Sequence, residues 1–174
     1  KEGKTVFATS FAKSAASSGW RVLLIDADMH RPGVAAQFGL SPSPGLDEVL
    51  TSTDPADYAR AVRTVADRLD VLPTSVSAAT PQDLLASDRM AEIIRKARED
   101  YDVVVIDTPP VVPTVDGLIL AHLTDATILA VRWEKTSRSS AQLALRLLRS
   151  SSATLVGSVL TQEDFKRAGI SRAQ

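Results

Sequence analysis

Two stretches of this chain are apolar throughout and end on a carboxylate. One, within residues 21–27, reads Val22-Leu23-Leu24-Ile25-Asp26; the other, at 102–106 and its end, reads Val103-Val104-Val105-Ile106-Asp107. A strand with one wet face alternates apolar and polar residues. A short run without alternation belongs to a strand covered on both faces, as in a parallel sheet. Around these runs the pattern alternates. Residues 5–18 read as a helix with Val6, Phe7, Phe11, Ala12, Ala15 and Ala16 on one face, stopped by Ser17-Ser18-Gly19. Strands follow at 69–72, 126–131 and 154–160, and helices at 90–99 and 139–149. Strands interleaved with helices predict an α/β fold of βαβ units. Ligands of open α/β sheets bind at the carboxyl ends of strands, where Asp26, Asp107 and the loop after Val131 fall.

Glu2-Gly3-Lys4-Thr5 precedes the first helix. It matches the back half of a phosphate-binding loop, in which backbone N–H groups cradle phosphate oxygens. In that pattern Lys4 reaches the β- and γ-phosphates and Thr5 ligates Mg²⁺. Gly-Lys-Thr alone is weak. Asp107, at the end of an apolar strand, has the form of the second carboxylate such sites use around Mg²⁺. Together they predict a P-loop NTPase-like parallel β-sheet flanked by helices on both faces, and a nucleotide triphosphatase or kinase. A strand belongs before such a loop, so the sheet is expected to lack a central member within residues 1–174.

The 174 residues suit a single domain with a substantial core. Twenty Lys and Arg against 21 Asp and Glu leave a formal charge of −1, which argues against a broad nucleic-acid surface. With no Cys, disulfides, thiolate metal sites and cysteine catalysis are excluded within these residues. No apolar run approaches the roughly 18 residues of a membrane span.

The motifs, taken in order, resemble bacterial tyrosine kinases of capsule and exopolysaccharide synthesis. Glu2-Gly3-Lys4-Thr5 resembles the end of that family's Walker A loop. Residues 23–32, L-L-I-D-A-D-M-H-R-P, resemble its second acidic motif, and residues 101–111, Y-D-V-V-V-I-D-T-P-P-V, its Walker B. F-G-L at 38–40, G-L-D-E-V-L at 45–50, V-L-P at 71–73 and P-Q-D-L-L-A-S at 81–87 fall in the family's order. The pairing of D-A-D-x-x-R-P with I-D-T-P-P is far more specific than Walker A. Three features depart: His30 stands where the family usually has Arg, Thr161 where it usually has Asn, and the tyrosine cluster that normally follows is absent, as is the preceding oligomerisation helix. The resemblance thus covers one kinase domain, residues 1–174, without its first strand and tyrosine tail.

The resemblance implies ATP or ADP and Mg²⁺ as ligands, with Glu2, Gly3, Lys4, Thr5 and Arg132 around the nucleotide. It implies Thr5, Asp26 and Asp107 at the metal, and Lys4, Asp26 and Asp28 in phosphoryl transfer, Asp26 accepting the acceptor hydroxyl proton. Bland readings stand beside these. Asp28 could cap the short helix after Pro32, Arg132 could be a charged strand end, and His30 and Arg31 could be a solvated pair. Tyr58 and Tyr101 are expected to be packing residues rather than acceptors. By resemblance the partners are further copies of the chain, a membrane-embedded polysaccharide co-polymerase segment or adaptor, and a neighbouring subunit's tyrosine-rich tail; no nucleic acid is expected. The location implied is the cytoplasmic face of a membrane. Two other readings remain: a partition- or Min-type switch ATPase, and a nucleotide-binding regulatory module without kinase activity.

Overall fold

A computed structural model describes residues 2–76 and 80–163. The helix α1 spans Lys4–Ser17 and leads into β1, Val22–Asp26. Three short helices follow, α2 (Val34–Phe38), α3 (Leu46–Thr51) and α4 (Ala56–Ala61). Then come β2 (Arg63–Ala66), β3 (Leu69–Leu72), α5 (Pro81–Leu85), α6 (Asp88–Asp100) and β4 (Val103–Asp107). The last elements are α7 (Asp116–Ala121), β5 (Thr127–Arg132), α8 (Arg138–Ser150) and β6 (Leu155–Thr161).

All five residues of β1 are buried, as an unbroken apolar run requires. β1 lies parallel between β3 and β4, and Asp26 is the register partner of Asp107. Successive side chains point to opposite faces. Val22 and Leu24 therefore join Leu69, Val71 and α1, whereas Leu23 and Ile25 join Leu72 and residues of α3, α6 and α7. The α1 face differs from the one expected. Ala8, Thr9, Ala12 and Ala16 are buried, while Val6 and Phe11 are exposed. Small residues at this spacing let the helix axis approach the sheet closely, and larger side chains have no room there.

β2 was not expected. It pairs antiparallel with β3 as an edge strand, and the tight turn in which Arg68 has φ +59° leads from it into β3. Among the described residues the strands form two separate sheets, one in the order β2-β3-β1-β4 and one of parallel β5 and β6. Between β4 and β5 runs a groove of about 500 Å³. Val103, Val105, Leu129 and Val131 line it from the strands, and Phe7, Phe11, Leu120 and Leu148 from the helices. This groove explains why Val103–Ile106 of β4 are only half-buried while β1 is wholly covered. No helix among the described residues is long and apolar enough to cross a membrane.

Candidate active site

The site assembles where α1 begins and β1 and β4 end. Gly3 precedes α1 with φ +78°, a left-handed conformation that glycine adopts without cost. A side chain there would crowd Gln162 Nε2 at 3.3 Å. The Thr161 hydroxyl donates to the Glu2 carbonyl, which brings the end of β6 against the start of α1. Arg132 closes β5 as the register partner of Thr161, and its backbone N–H donates to Thr136 Oγ1, 3.0 Å away. The expected nucleotide residues Glu2, Gly3 and Lys4 thus share one end of the molecule with Arg132. Lys4 Nζ lies 2.6 Å from Glu2 Oε2, and hydrogen bonding to this ammonium helps hold the Glu2 carboxyl below its ordinary range against the opposing effect of burial.

Asp26, Asp28, Asp107 and Thr5 form the acidic centre. Asp26 is fully buried and accepts three backbone N–H groups: Asp28 at 3.2 Å on Oδ1, and Gly33 and Val34 at 3.0 and 2.9 Å on Oδ2. The helix cap, the bland alternative for Asp28, is supplied by Asp26, which receives the first amides of α2. Asp28 instead closes its own turn, accepting the Arg31 N–H at 3.0 Å. Gly33 presses on Thr5: a Cβ at this position would lie 3.2 Å from Thr5 Cγ2. The Ala27 N–H donates to the Asp107 carbonyl at 2.8 Å and ties the two strand ends together.

Burial sets the protonation of this centre. Desolvation pushes Asp26 up to about 6, against the pull of its three amide donors. It pushes Asp107 up to about 7, with the Asp26 and Asp28 charges adding to the rise, and the Thr5 hydroxyl and Lys4 ammonium offsetting part of it. Asp107 Oδ2 is buried without a hydrogen-bond partner. Such groups are uncommon and mark a place where a partner belongs. A divalent cation fits it. Thr5, Asp26 and Asp107 offer hard oxygen donors of the kind Mg²⁺ takes, and Mg²⁺ keeps several waters and phosphate oxygens in its shell. No cluster of three His, Asp or Glu arranged to hold a metal alone occurs among the described residues.

These shifts predict a pH dependence. The folded pKa values of Asp26 and Asp107 lie above the ordinary carboxyl value, so the folded state keeps protons that the unfolded chain releases. Stability then falls as pH rises from about 4 through 7. Glu2, Asp47, Asp57 and Asp102 are held low and titrate below most of that window. In EDTA, the melting midpoint is expected to drop by roughly 5 °C or more between pH 5 and pH 8, and Mg²⁺ with nucleotide to flatten the drop. A midpoint that is level or rising in EDTA would contradict the assignment.

Two contributors to this region are absent from the sequence-level reading. Gly33 looks like an ordinary loop glycine until its contact with Thr5 is seen. Asp116 begins α7 fully buried, with its Oδ2 2.7 Å from His30 Nε2. Its position inside Thr-Val-Asp-Gly carries no local signal.

Parallel strands ending on carboxylates, opposite a Gly-Lys-Thr helix start, define a P-loop-type nucleotide-site α/β domain. A family model described as "AAA domain" matches residues 2–154. Tyrosine-protein kinase YwqD of Bacillus subtilis is 34% identical over 167 residues, covering 95% of this chain and 70% of that protein. The succinoglycan biosynthesis transport protein ExoP of Rhizobium meliloti is 35% identical over 176 residues, covering 97% of this chain but 22% of its own length. The kinase domain of Escherichia coli tyrosine kinase ETK superposes with a TM-score of 0.85 at 26% identity, over 94% of this chain and 66% of that one. The chain belongs to the bacterial tyrosine-kinase family. The cell-division ATPase MinD of Pyrococcus furiosus, at 20% identity and a TM-score of 0.74, shares the fold alone.

Proposed function

We propose that this domain is an ATP-dependent protein-tyrosine kinase acting between copies of the chain. The observation that carries the reading is the convergence of Lys4, Thr5, Asp26 and Asp107 around a buried carboxylate oxygen with no partner. Mg²⁺, when bound, supplies charge neutralisation at the transferring phosphoryl group. Lys4 stabilises the charge developing there. Thr5 and Asp107 hold the metal side of the site. Asp26, raised to about 6, is poised to take the proton of the attacking hydroxyl near neutral pH. Asp28 organises the turn beside it.

The acceptor comes from elsewhere. Tyr58 is buried, its hydroxyl lacks a partner, and burial pushes it up to about 12. Tyr101 donates to Asp70 Oδ2 at 2.7 Å, and burial followed by this bond raises it further. Neither can approach a nucleotide without unfolding, which favours a tyrosine-rich tail reaching in from another subunit. The name of one relative, a succinoglycan biosynthesis transport protein, favours a role in exopolysaccharide production; the family resemblance of the motifs favours the cytoplasmic face of a membrane, reached through a segment in cis or an adaptor. The groove between β4 and β5 supports a further parallel strand. Its carboxyl end would arrive beside Glu2 and complete the phosphate-binding loop.

Incubation with ATP, Mg²⁺ and a Tyr-rich peptide tests the reading, with mass spectrometry to place the phosphate. The expected result is phosphate on the peptide and almost none on Tyr58 or Tyr101. Free phosphate alone would favour a switch ATPase. Abundant phosphate on either internal tyrosine would overturn the acceptor assignment.

A further inference from the structure

One polar pair near the acidic centre has no place in the chemistry above. Asp116 is fully buried and its Oδ1 has no hydrogen-bond partner. Its Oδ2 lies 2.7 Å from Nε2 of His30, a half-exposed side chain. Burying a carboxyl is costly unless it is paired, so this contact is worth more to Asp116 than an exposed pair would be. Asp116 itself has little freedom. A side chain at Gly117 would come within 2.9 Å of Val111 Cγ1, so the start of α7 is packed hard against the segment that follows Asp107. The Thr114 hydroxyl donates to the Pro110 carbonyl at 2.8 Å and closes that segment on itself.

His30 stands in the turn closed by Asp28 and Arg31. The pair therefore joins two loops: the one carrying Asp26 and Asp28 after β1, and the one following Asp107 after β4. The Ala27–Asp107 backbone bond already ties these loops at the strand ends. It lies one residue beyond β1, and among the described residues no other backbone hydrogen bond joins the outer part of the first loop to the second. His30–Asp116 supplies that tie, two residues past Asp28.

We propose that His30 is a positioning residue: through Asp116 it locks the Asp28 turn onto the loop after β4 and so fixes Asp28 relative to Asp107. The kinetic side of this proposal rests on the tyrosine-kinase reading. The mechanical side does not. Asp26 is held by three amides of its own, so loss of the lock is felt at Asp28 first. The nucleotide residues 2–5 lie on another element and meet this loop at Gly33, whose amide is held by Asp26 independently of His30, so nucleotide affinity is expected to change little.

The test uses His30→Ala, His30→Gln, which keeps a donor, Asp116→Asn, and the His30→Ala/Asp116→Asn double variant. His30→Ala is expected to lower kcat on the Tyr-rich peptide about tenfold, with ADP affinity held within about twofold. Gln should restore most of the loss. The double variant should be no slower than His30→Ala alone, because the two residues act as one unit. Hydrogen exchange gives a readout independent of transfer: in His30→Ala the amides of residues 28–31 should exchange about tenfold faster, while β1 stays protected. Wild-type kcat in His30→Ala, or a loss that Gln does not rescue, overturns the kinetic role. Unchanged exchange at 28–31 overturns the lock. If the wild-type protein does not phosphorylate the peptide at all, the kinase reading fails, and the exchange result still decides the lock.

Discussion

Lys4→Met is expected to reduce phosphoryl transfer about 10³-fold or more while leaving the fold intact. The side chain sits at the first turn of α1, 23% exposed, in an ion pair with a Glu2 side chain that is 31% exposed. Partly solvated pairs of this kind are worth about 0–1 kcal/mol, so their loss cannot unfold the domain. Met keeps the length and apolar stem of Lys, and it leaves no buried polar atom unsatisfied. The effect on transfer is of another order. The charge that develops on the phosphoryl oxygens falls where Lys4 reaches, and a preorganised cation there acts with little help from solvent. The loss should appear in kcat more than in nucleotide affinity, since the helix N-terminus and the amides of the loop still hold phosphate. Transfer of labelled phosphate to a Tyr-rich peptide, beside a thermal melt, decides it. Wild-type turnover by the variant would remove Lys4 from the mechanism, and a lowered melting midpoint would show that the ion pair had been undervalued.

What could be read from the sequence follows from how each element is stabilised. β1 is legible because it is buried on both faces, so its apolar run stands out from any neighbour; β4 carries a similar run although the groove leaves Val103–Ile106 half-buried, and β3 keeps Leu69, Val71 and Leu72 buried around Asp70. α6 and α8 are long enough for their period to show. The helices α2, α3, α4, α5 and α7 have five or six residues each, fewer than two turns, and no period can be seen over that length. β2 reads Arg-Thr-Val-Ala and is a strand because the turn at Asp67-Arg68 folds it back on β3, a tertiary cause. The expected face of α1 is split: Ala12 and Ala16 are buried, with Ala8 where close approach of helix to sheet favours a small residue, while Phe11 lines the groove between β4 and β5. At the site, Lys4, Thr5, Asp26 and Asp107 lie at strand and helix ends, the places where topology alone puts a ligand. The division of labour between Asp26 and Asp28 depends on which carboxylate the α2 amides reach, and that depends on the path of the 27–33 loop. Asp116 was invisible for the same reason: its partner is 86 residues away.

Asp107→Asn is expected to move activity and stability in opposite directions. Asp107 is 2% exposed, raised to about 7 first by desolvation and then by the Asp26 and Asp28 charges, and its Oδ2 has no donor. At pH 8 without metal the protein therefore holds a buried charge that the Thr5 hydroxyl and the Lys4 ammonium compensate only in part. Asn has the same shape and no charge, and its amide can donate toward the carboxylates and the Thr5 hydroxyl around it. The backbone bond from the Ala27 N–H to the Asp107 carbonyl is untouched. The metal-free variant should thus be more stable by about 1–3 kcal/mol at pH 8, with a midpoint raised by about 2–4 °C for each kcal/mol. At pH 5, where the wild-type carboxyl is protonated, the gain should largely vanish. With Mg²⁺ the sign reverses, because the charge removed is the one that acts through the ion. Transfer should fall about 10–100-fold, and Mg²⁺-dependent binding of ATP should weaken far more than metal-free binding of ADP. Calorimetry with and without Mg²⁺, and melts in EDTA at the two pH values, measure both halves. Equal losses with and without the metal would detach Asp107 from it. A variant less stable than wild type in EDTA at pH 8 would show that the buried carboxylate has a donor or a cation in solution even without added Mg²⁺.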